Sequence, residues 1–302
     1  MLKRLLKSLY LVRTLRIACP RRRAVIALSF YEIKKNIHKF VVLTLIVLTF
    51  MAVFASILVI NFIKTNPDIS KSPVGSLIRK TIERYEWILT LLLPRFFIVL
   101  IAIVIGAGLF SSEYEEGTSY IIYTRPLSRL DMYLGKFLGG FTLLSVLIFS
   151  YAFLGIWLST VFFGKIEGWQ AIPFVVIGMI YSQLMFYSIS YMFGQLFRRS
   201  TLSLLVSMAV LLIFSAIQGV LEVLASLRGL EYLKNVVYVL PTWAANLPLY
   251  ISIELLPEVG VFMGRMGTFI SDVWVASLVI LLYFLFSTTV TLYSLHESDL
   301  AS

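Results

Sequence analysis

The chain has 302 residues, 59% of them apolar and 14% charged. A water-soluble domain holds about 45–50% apolar and about 25% charged residues, so that class is excluded. The net charge of +10 comes from Lys and Arg flanking apolar runs, which fits retention on one side of a membrane and attraction to anionic headgroups, with no nucleic acid as partner.

The apolar runs exceed twenty residues and do not alternate. Backbone polar groups in hydrocarbon must be bonded internally, and barrel strands would alternate over about ten residues. The predicted fold class is therefore an all-α membrane protein, with six transmembrane helices preceded by N-terminal amphipathic cytoplasmic helices. In chain order, residues 1–23 form a basic extension. Leu2, Leu5, Leu6, Leu9 and Val12 recur at helical spacing among Lys3, Arg4, Lys7 and Arg13, as in a helix lying on the inner surface. Arg13 and Arg16 interrupt the apolar stretch and no small-residue cleavage site follows, so it does not read as a cleaved signal peptide. Pro20 and Arg21-Arg22-Arg23 break this helix. A second helix, about 24–38, is expected to run along the surface with Glu32, Lys34 and Lys35 facing water. Residues 24–302 then form the six-span transmembrane body.

A span needs about 20 mostly apolar residues. Six segments qualify, at about 40–63, 88–110, 137–163, 171–196, 201–224 and 273–293. The outer loop 64–87 contains Pro67 and Pro73. The inner loop 111–136 is the most polar part of the chain. The outer segment 225–272, with Pro241, Pro248 and Pro257, predicts short helices at or dipping into the outer interface. Residues 1–39 carry eleven Lys and Arg against one acid, Glu32, which predicts a cytoplasmic N-terminus. Six spans return the C-terminus to the same side, giving a multi-pass protein of the cytoplasmic (plasma) membrane. Trp87, Trp157, Trp169, Trp243 and Trp274 all fall near the predicted outer boundary, where indole sits half buried at headgroup level with its N–H wet.

Several chemistries lack their residues. There is no G-x-x-x-x-G-K-[ST] phosphate loop, no G-x-S-x-G elbow and no H-E-x-x-H. The chain is therefore expected to be no enzyme. Its one cysteine, Cys19, allows no intrachain disulfide, and His38 and His296 are too few for a zinc or haem site. Only Arg95 and Glu222 are ionisable within the predicted spans, both near the outer end. At about 1.5 Å per residue, Arg95 lies about 10 Å below the outer boundary. It either snorkels to headgroups or lines a polar substrate path with Glu222 as its counter-ion. No midplane ionisable relay is present, so the energy source is expected outside this chain.

The inner loop reads Ser111-Ser112-Glu113-Tyr114-Glu115-Glu116-Gly117-Thr118, then Tyr123-Thr124-Arg125-Pro126-Leu127-Ser128-Arg129, then Tyr133-Leu134-Gly135-Lys136-Phe137. This resembles the type-2 permeases of ATP-binding-cassette (ABC) exporters. Their signature there is an acidic residue, a Gly-Thr, a short helix ending near Pro-x-Ser-Arg, and a Gly-Lys opening span three. Tyr31-Glu32-Ile33-Lys34-Lys35 resembles the family's elbow helix, and Gly194–Ser200 resembles its tight turn between spans four and five. Pro241-Thr242 resembles its proline region before span six. The resemblance covers about residues 24–293. It implies a coupling element in 111–136 that docks on a cytoplasmic ABC ATPase subunit through Glu113, Glu115, Glu116, Gly117, Thr118, Arg125, Pro126 and Arg129. It also implies a second permease copy or paralogue, and no cofactor in this chain, with ATP and Mg held by the partner. Exported substrates in such a family are often amphipathic. The rival reading is a membrane scaffold or mechanical relay that works with an ATPase without transporting.

Overall fold

The computed structural model describes residues 22–66, 84–117, 128–164, 166–225, 232–256, 258–259 and 271–297. Among them every regular element is helical. The helices are α1 (Arg22–Ile37), α2 (Phe40–Thr65), α3 (Glu86–Leu92), α4 (Arg95–Glu115), α5 (Arg129–Phe163), α6 (Ile172–Phe197), α7 (Ser200–Ala225), α8 (Leu233–Val237), α9 (Pro241–Ala244), α10 (Leu247–Leu255) and α11 (Val273–Glu297). Six stretches are long and apolar enough to cross a bilayer: α2, α3 with α4, α5, α6 with the turn before it, α7 and α11. Each predicted span is present. The extension over residues 1–21 lies outside the described residues.

The ends of these helices follow from local chemistry. The second span is broken at Leu93-Pro94. Proline has no N–H, so the carbonyl of Thr90 loses its helical donor. The Tyr151 hydroxyl of α5 replaces it, donating to Thr90 O at 3.1 Å and Leu91 O at 2.6 Å. Arg95 then starts a new helix. At its other end α4 runs on to Glu115, five residues past the predicted bound. α5 begins at Arg129, eight residues before its predicted start. Its beginning is fixed by a capping box: Asp131 N–H donates to Ser128 Oγ at 3.0 Å, and Ser128 N–H donates to Asp131 Oδ2 at 3.1 Å. Part of the predicted loop 111–136 is therefore helix.

α4 and α6 form the centre. The apolar windows of their spans are 67% and 61% buried, against 11% for α7 and 22% for α11. Exposed Phe54, Leu58, Phe153, Leu212 and Phe286 form an apolar outer surface, the arrangement that a hydrocarbon solvent stabilises. An aromatic cluster locks the middle spans together. Tyr187 donates to Phe137 O at 2.7 Å and Tyr191 to Tyr133 O at 3.0 Å, tying α6 to α5. Tyr133 in turn donates to Thr288 Oγ1 of α11 at 2.9 Å.

α1 and the last turn of α11 both meet the first turns of α5 at one end of the bundle, Ser29 on Gly135 O and Arg129 on Leu295 O. We call this the terminal end. The distal end is held by Lys64–Glu86 at 2.6 Å and by Arg84–Glu258 at 2.6 Å. There the short helices α8 to α10, expected within 225–272, pack around buried Trp243 and Tyr250.

Two expectations are corrected. Glu32 does not face water: it is 1% exposed. α1 lies against α5, with Ser29 Oγ donating to Gly135 O at 2.9 Å. Its buried side carries Glu32 and Asn36, while Ile26, Phe30 and Tyr31 point outward. That pattern inverts the one expected of a water-facing helix, and the cause is a cation waiting inside. The tryptophans also divide. Trp157, Trp169 and Trp274 are exposed, but Trp87 and Trp243 are fully buried. Trp87 meets its N–H requirement inside the protein by donating to Glu167 O at 2.9 Å, so it needs no interfacial water.

Candidate functional site

The terminal end is organised by one buried lysine. Lys136 lies two turns into α5 and is 0% exposed. An ammonium there is stable only when its donors and its charge are both met. Its Nζ donates to Glu32 Oε1 of α1 at 2.8 Å and to Leu109 O of α4 at 3.0 Å, and it pairs with Glu113 of α4. It also sits 5.3 Å from the centroid of the Phe110 ring. Asn36 Nδ2 donates to the second Glu32 oxygen at 3.3 Å. Three elements distant in sequence are thus joined through one nitrogen.

The predicted coupling residues that the structure describes, Glu113, Glu115, Glu116, Gly117 and Arg129, lie at the same end of the bundle. Glu113 is not on a contact face: it is 3% exposed and held by Lys136. A carboxylate at that depth is favourable only beside a cation. Glu115 Oε1 accepts the backbone N–H of Ser200 at 2.8 Å, at the start of α7, where the helix dipole favours an anion. Glu116 pairs with Lys35 of α1 at 3.5 Å. Gly117 ends α4 with φ +68°, a left-handed conformation that glycine adopts without a Cβ penalty. Thr118, Arg125 and Pro126 lie outside the described residues. Arg129 Nη1 donates to Leu295 O at 2.5 Å and to His296 O, in the last turn of α11. The two flanks of segment 118–127, the end of α4 and the start of α5, are therefore anchored on α1, α7 and α11. Charge counting along the chain did not find the triad. The available signal was Lys136 itself, an ionisable residue inside a long helix that needed two acidic partners.

Lys39, just before α2, is drawn into the same end. Its Nζ donates to Gly108 O at 3.4 Å. Burial lowers its pKa from 10.5 to about 8, helped by the positive charge of Lys35 and opposed by Glu32 and Glu116. The folded state therefore gives up this proton at lower pH than the unfolded chain does. Between about pH 8 and pH 10.5 the unfolded chain binds more protons, so Lys39 makes stability rise with pH across that window. Below pH 8 the full penalty of the buried charge applies. The thermal midpoint of the protein, minus that of a Lys39→Met variant, is expected to increase from pH 8 to pH 10; a flat difference contradicts the assignment.

The distal end holds the other two predicted residues. Arg95 is the first residue of α4, about 30 Å from Glu115 at 1.5 Å per residue. Glu222 lies about 33 Å along α7 from Ser200. Both reach the same level and line one cavity of about 370 Å³ between α4, α6, α7, α9 and α10. They do not meet: no ion pair joins them among the described residues. Gln218 Nε2 donates to Glu222 Oε1 at 2.7 Å. Arg95 is part-exposed as a residue, yet its Nη1 is closed off from solvent and touches no acceptor. Gln183 Oε1, also on the lining, is likewise buried without a donor.

A family model described as ABC-2 family transporter protein matches residues 25–300. No curated protein matches the chain.

Proposed function

We propose that this chain, which belongs to the ABC-2 transporter family as a multi-pass membrane permease, carries the closure of a separate ATP-hydrolysing subunit into its bundle and thereby exports an amphipathic substrate. The observation that carries this reading is the anchoring of both flanks of segment 118–127. Glu116 holds α1, Glu115 holds α7 and Arg129 holds α11. A push on that segment reaches these three helices at once, and the Lys136 triad keeps α1, α4 and α5 moving as one body. ATP and Mg belong to the partner, since the sequence has no phosphate loop. Two permease copies, identical or related, would face each other and alternate access between them. Lys35, Lys39, Arg129 and Arg198 lie at the terminal end, which supports placing that end in the cytoplasm of a plasma-membrane protein.

Site-directed photocrosslinking tests the docking. In a Cys19→Ser background, a benzophenone on Glu116→Cys is expected to capture a soluble ATP-hydrolysing protein in native membranes. The same reagent on Glu167→Cys, at the distal end, is expected to capture none. Equal capture from both positions, or none from Glu116→Cys, contradicts the proposal.

A further inference from the structure

The cavity at the distal end has a chemistry that the coupling reading does not use. Arginine stays charged at any working pH, and its planar fork of donors matches an oxyanion. Holding a guanidinium nitrogen away from water with no acceptor costs stability unless a ligand supplies one. The Nη1 of Arg95 is in that state. The first turn of α4, a helix of 21 residues, adds the positive end of its dipole on the same wall. Across the cavity the charge reverses. Glu222 keeps an oxygen beyond the one bound by Gln218, and Gln183 offers a buried acceptor without a donor. The remaining wall mixes apolar Val99, Phe186 and Leu211 with polar Ser215, Thr242 and Asn246, and Phe96 is half exposed at the edge.

We infer that this cavity binds a zwitterionic headgroup, with an oxyanion such as phosphate on Arg95 and an ammonium on Glu222 and Gln183. This rests on the transport reading only for the ligand being cargo; the binding itself needs no ATPase. About 370 Å³ is at the small end of ligand pockets, which run from about 300 to 1,000 Å³. It therefore suits a headgroup or a small free zwitterion. The half-exposed Phe96 edge gives an acyl chain a route toward lipid.

The test is ligand binding to the purified full chain in neutral maltoside detergent, read as a saturable shift of the thermal midpoint. The probes are lysophosphatidylethanolamine, lysophosphatidic acid and free phosphoethanolamine. Lysophosphatidylethanolamine is expected to bind, with at least tenfold weaker affinity in Arg95→Gln and an intermediate loss in Arg95→Lys. Glu222→Gln is expected to weaken lysophosphatidylethanolamine severalfold but to strengthen lysophosphatidic acid, which lacks the ammonium. Tighter binding of the lysolipid than of phosphoethanolamine marks a lipid source. Equal binding marks a free zwitterion in the same site. Unchanged affinity in both Arg95→Gln and Glu222→Gln, or no binding of any probe, overturns the inference. Should Arg95→Gln not fold, the opposite responses of Glu222→Gln to the two lysolipids still decide it. Failure here leaves ATPase docking intact, and failure of docking leaves this binding intact.

Discussion

Lys136→Met is expected to destabilise the protein by about 3–5 kcal/mol, the range for removing one partner of a buried ion pair. The ammonium is fully buried and serves Glu32, Glu113 and Leu109 O together. Methionine fills a similar volume but leaves two carboxylates of like charge facing each other without water. One of them would have to take up a proton, and α1 would come away from α4 and α5. The triple variant Lys136→Met with Glu32→Gln and Glu113→Gln removes all three charges. It is expected to recover most of the loss, because neutral amides carry a far smaller desolvation cost than carboxylates. Thermal midpoints measured by size-exclusion chromatography in detergent separate these outcomes. A Lys136→Met protein as stable as the parent contradicts the role given to the triad.

Gly106→Leu is expected to cost at least about 3 kcal/mol, at the upper end of overpacking penalties. α4 and α6 cross with their backbones in contact. A Cβ at Gly106 would stand 2.6 Å from Tyr187 O and 3.1 Å from Ser190 Cβ, and one at Gly194 would stand 2.7 Å from Ala107 O. None of these three atoms is a flexible side-chain end, so the helices must separate. Separation also moves Tyr187 and Tyr191 away from the carbonyls of Phe137 and Tyr133, at about 0.5–1.5 kcal/mol for each hydrogen bond. Such close approach is where small residues are used between membrane helices. Gly219→Ala is the control: among the described residues no atom beyond its own stretch of helix lies within 4 Å of its new Cβ, so it is expected to be neutral or slightly stabilising. Equal losses at both glycines would refute the crossing argument.

The spans were legible because an uncharged run of twenty residues has few alternatives in lipid. Their ends were less so. α4 and α5 extend into polar sequence because Gly117 and the Ser128–Asp131 box set the stops, and those local signals outrank hydropathy. Glu32 was misplaced because its partner lies 104 residues away; surface polarity along α1 says nothing of a lysine buried in α5. The burial of Trp87 is hidden from local sequence for the same reason, since the carbonyl that takes its N–H belongs to Glu167. Rise per residue puts Arg95 and Glu222 at one level, because it is a one-dimensional quantity, and both line the distal cavity. Whether they meet depends on how α4, α6 and α7 pack around the cavity, which no single segment specifies.

The most direct test of ATP-driven coupling is affinity purification of the tagged chain from its native membrane in mild detergent, with ATPase assay and mass spectrometry. Residues 118–127 are replaced in parallel by a ten-residue Gly-Ser linker, which leaves Glu113, Glu115, Glu116 and Arg129 in place. The account predicts a near-equimolar ATP-hydrolysing partner with the parent chain and its loss with the linker chain, at unchanged thermal midpoint. A parent chain that purifies without such a partner, or a linker chain that retains it, contradicts the account.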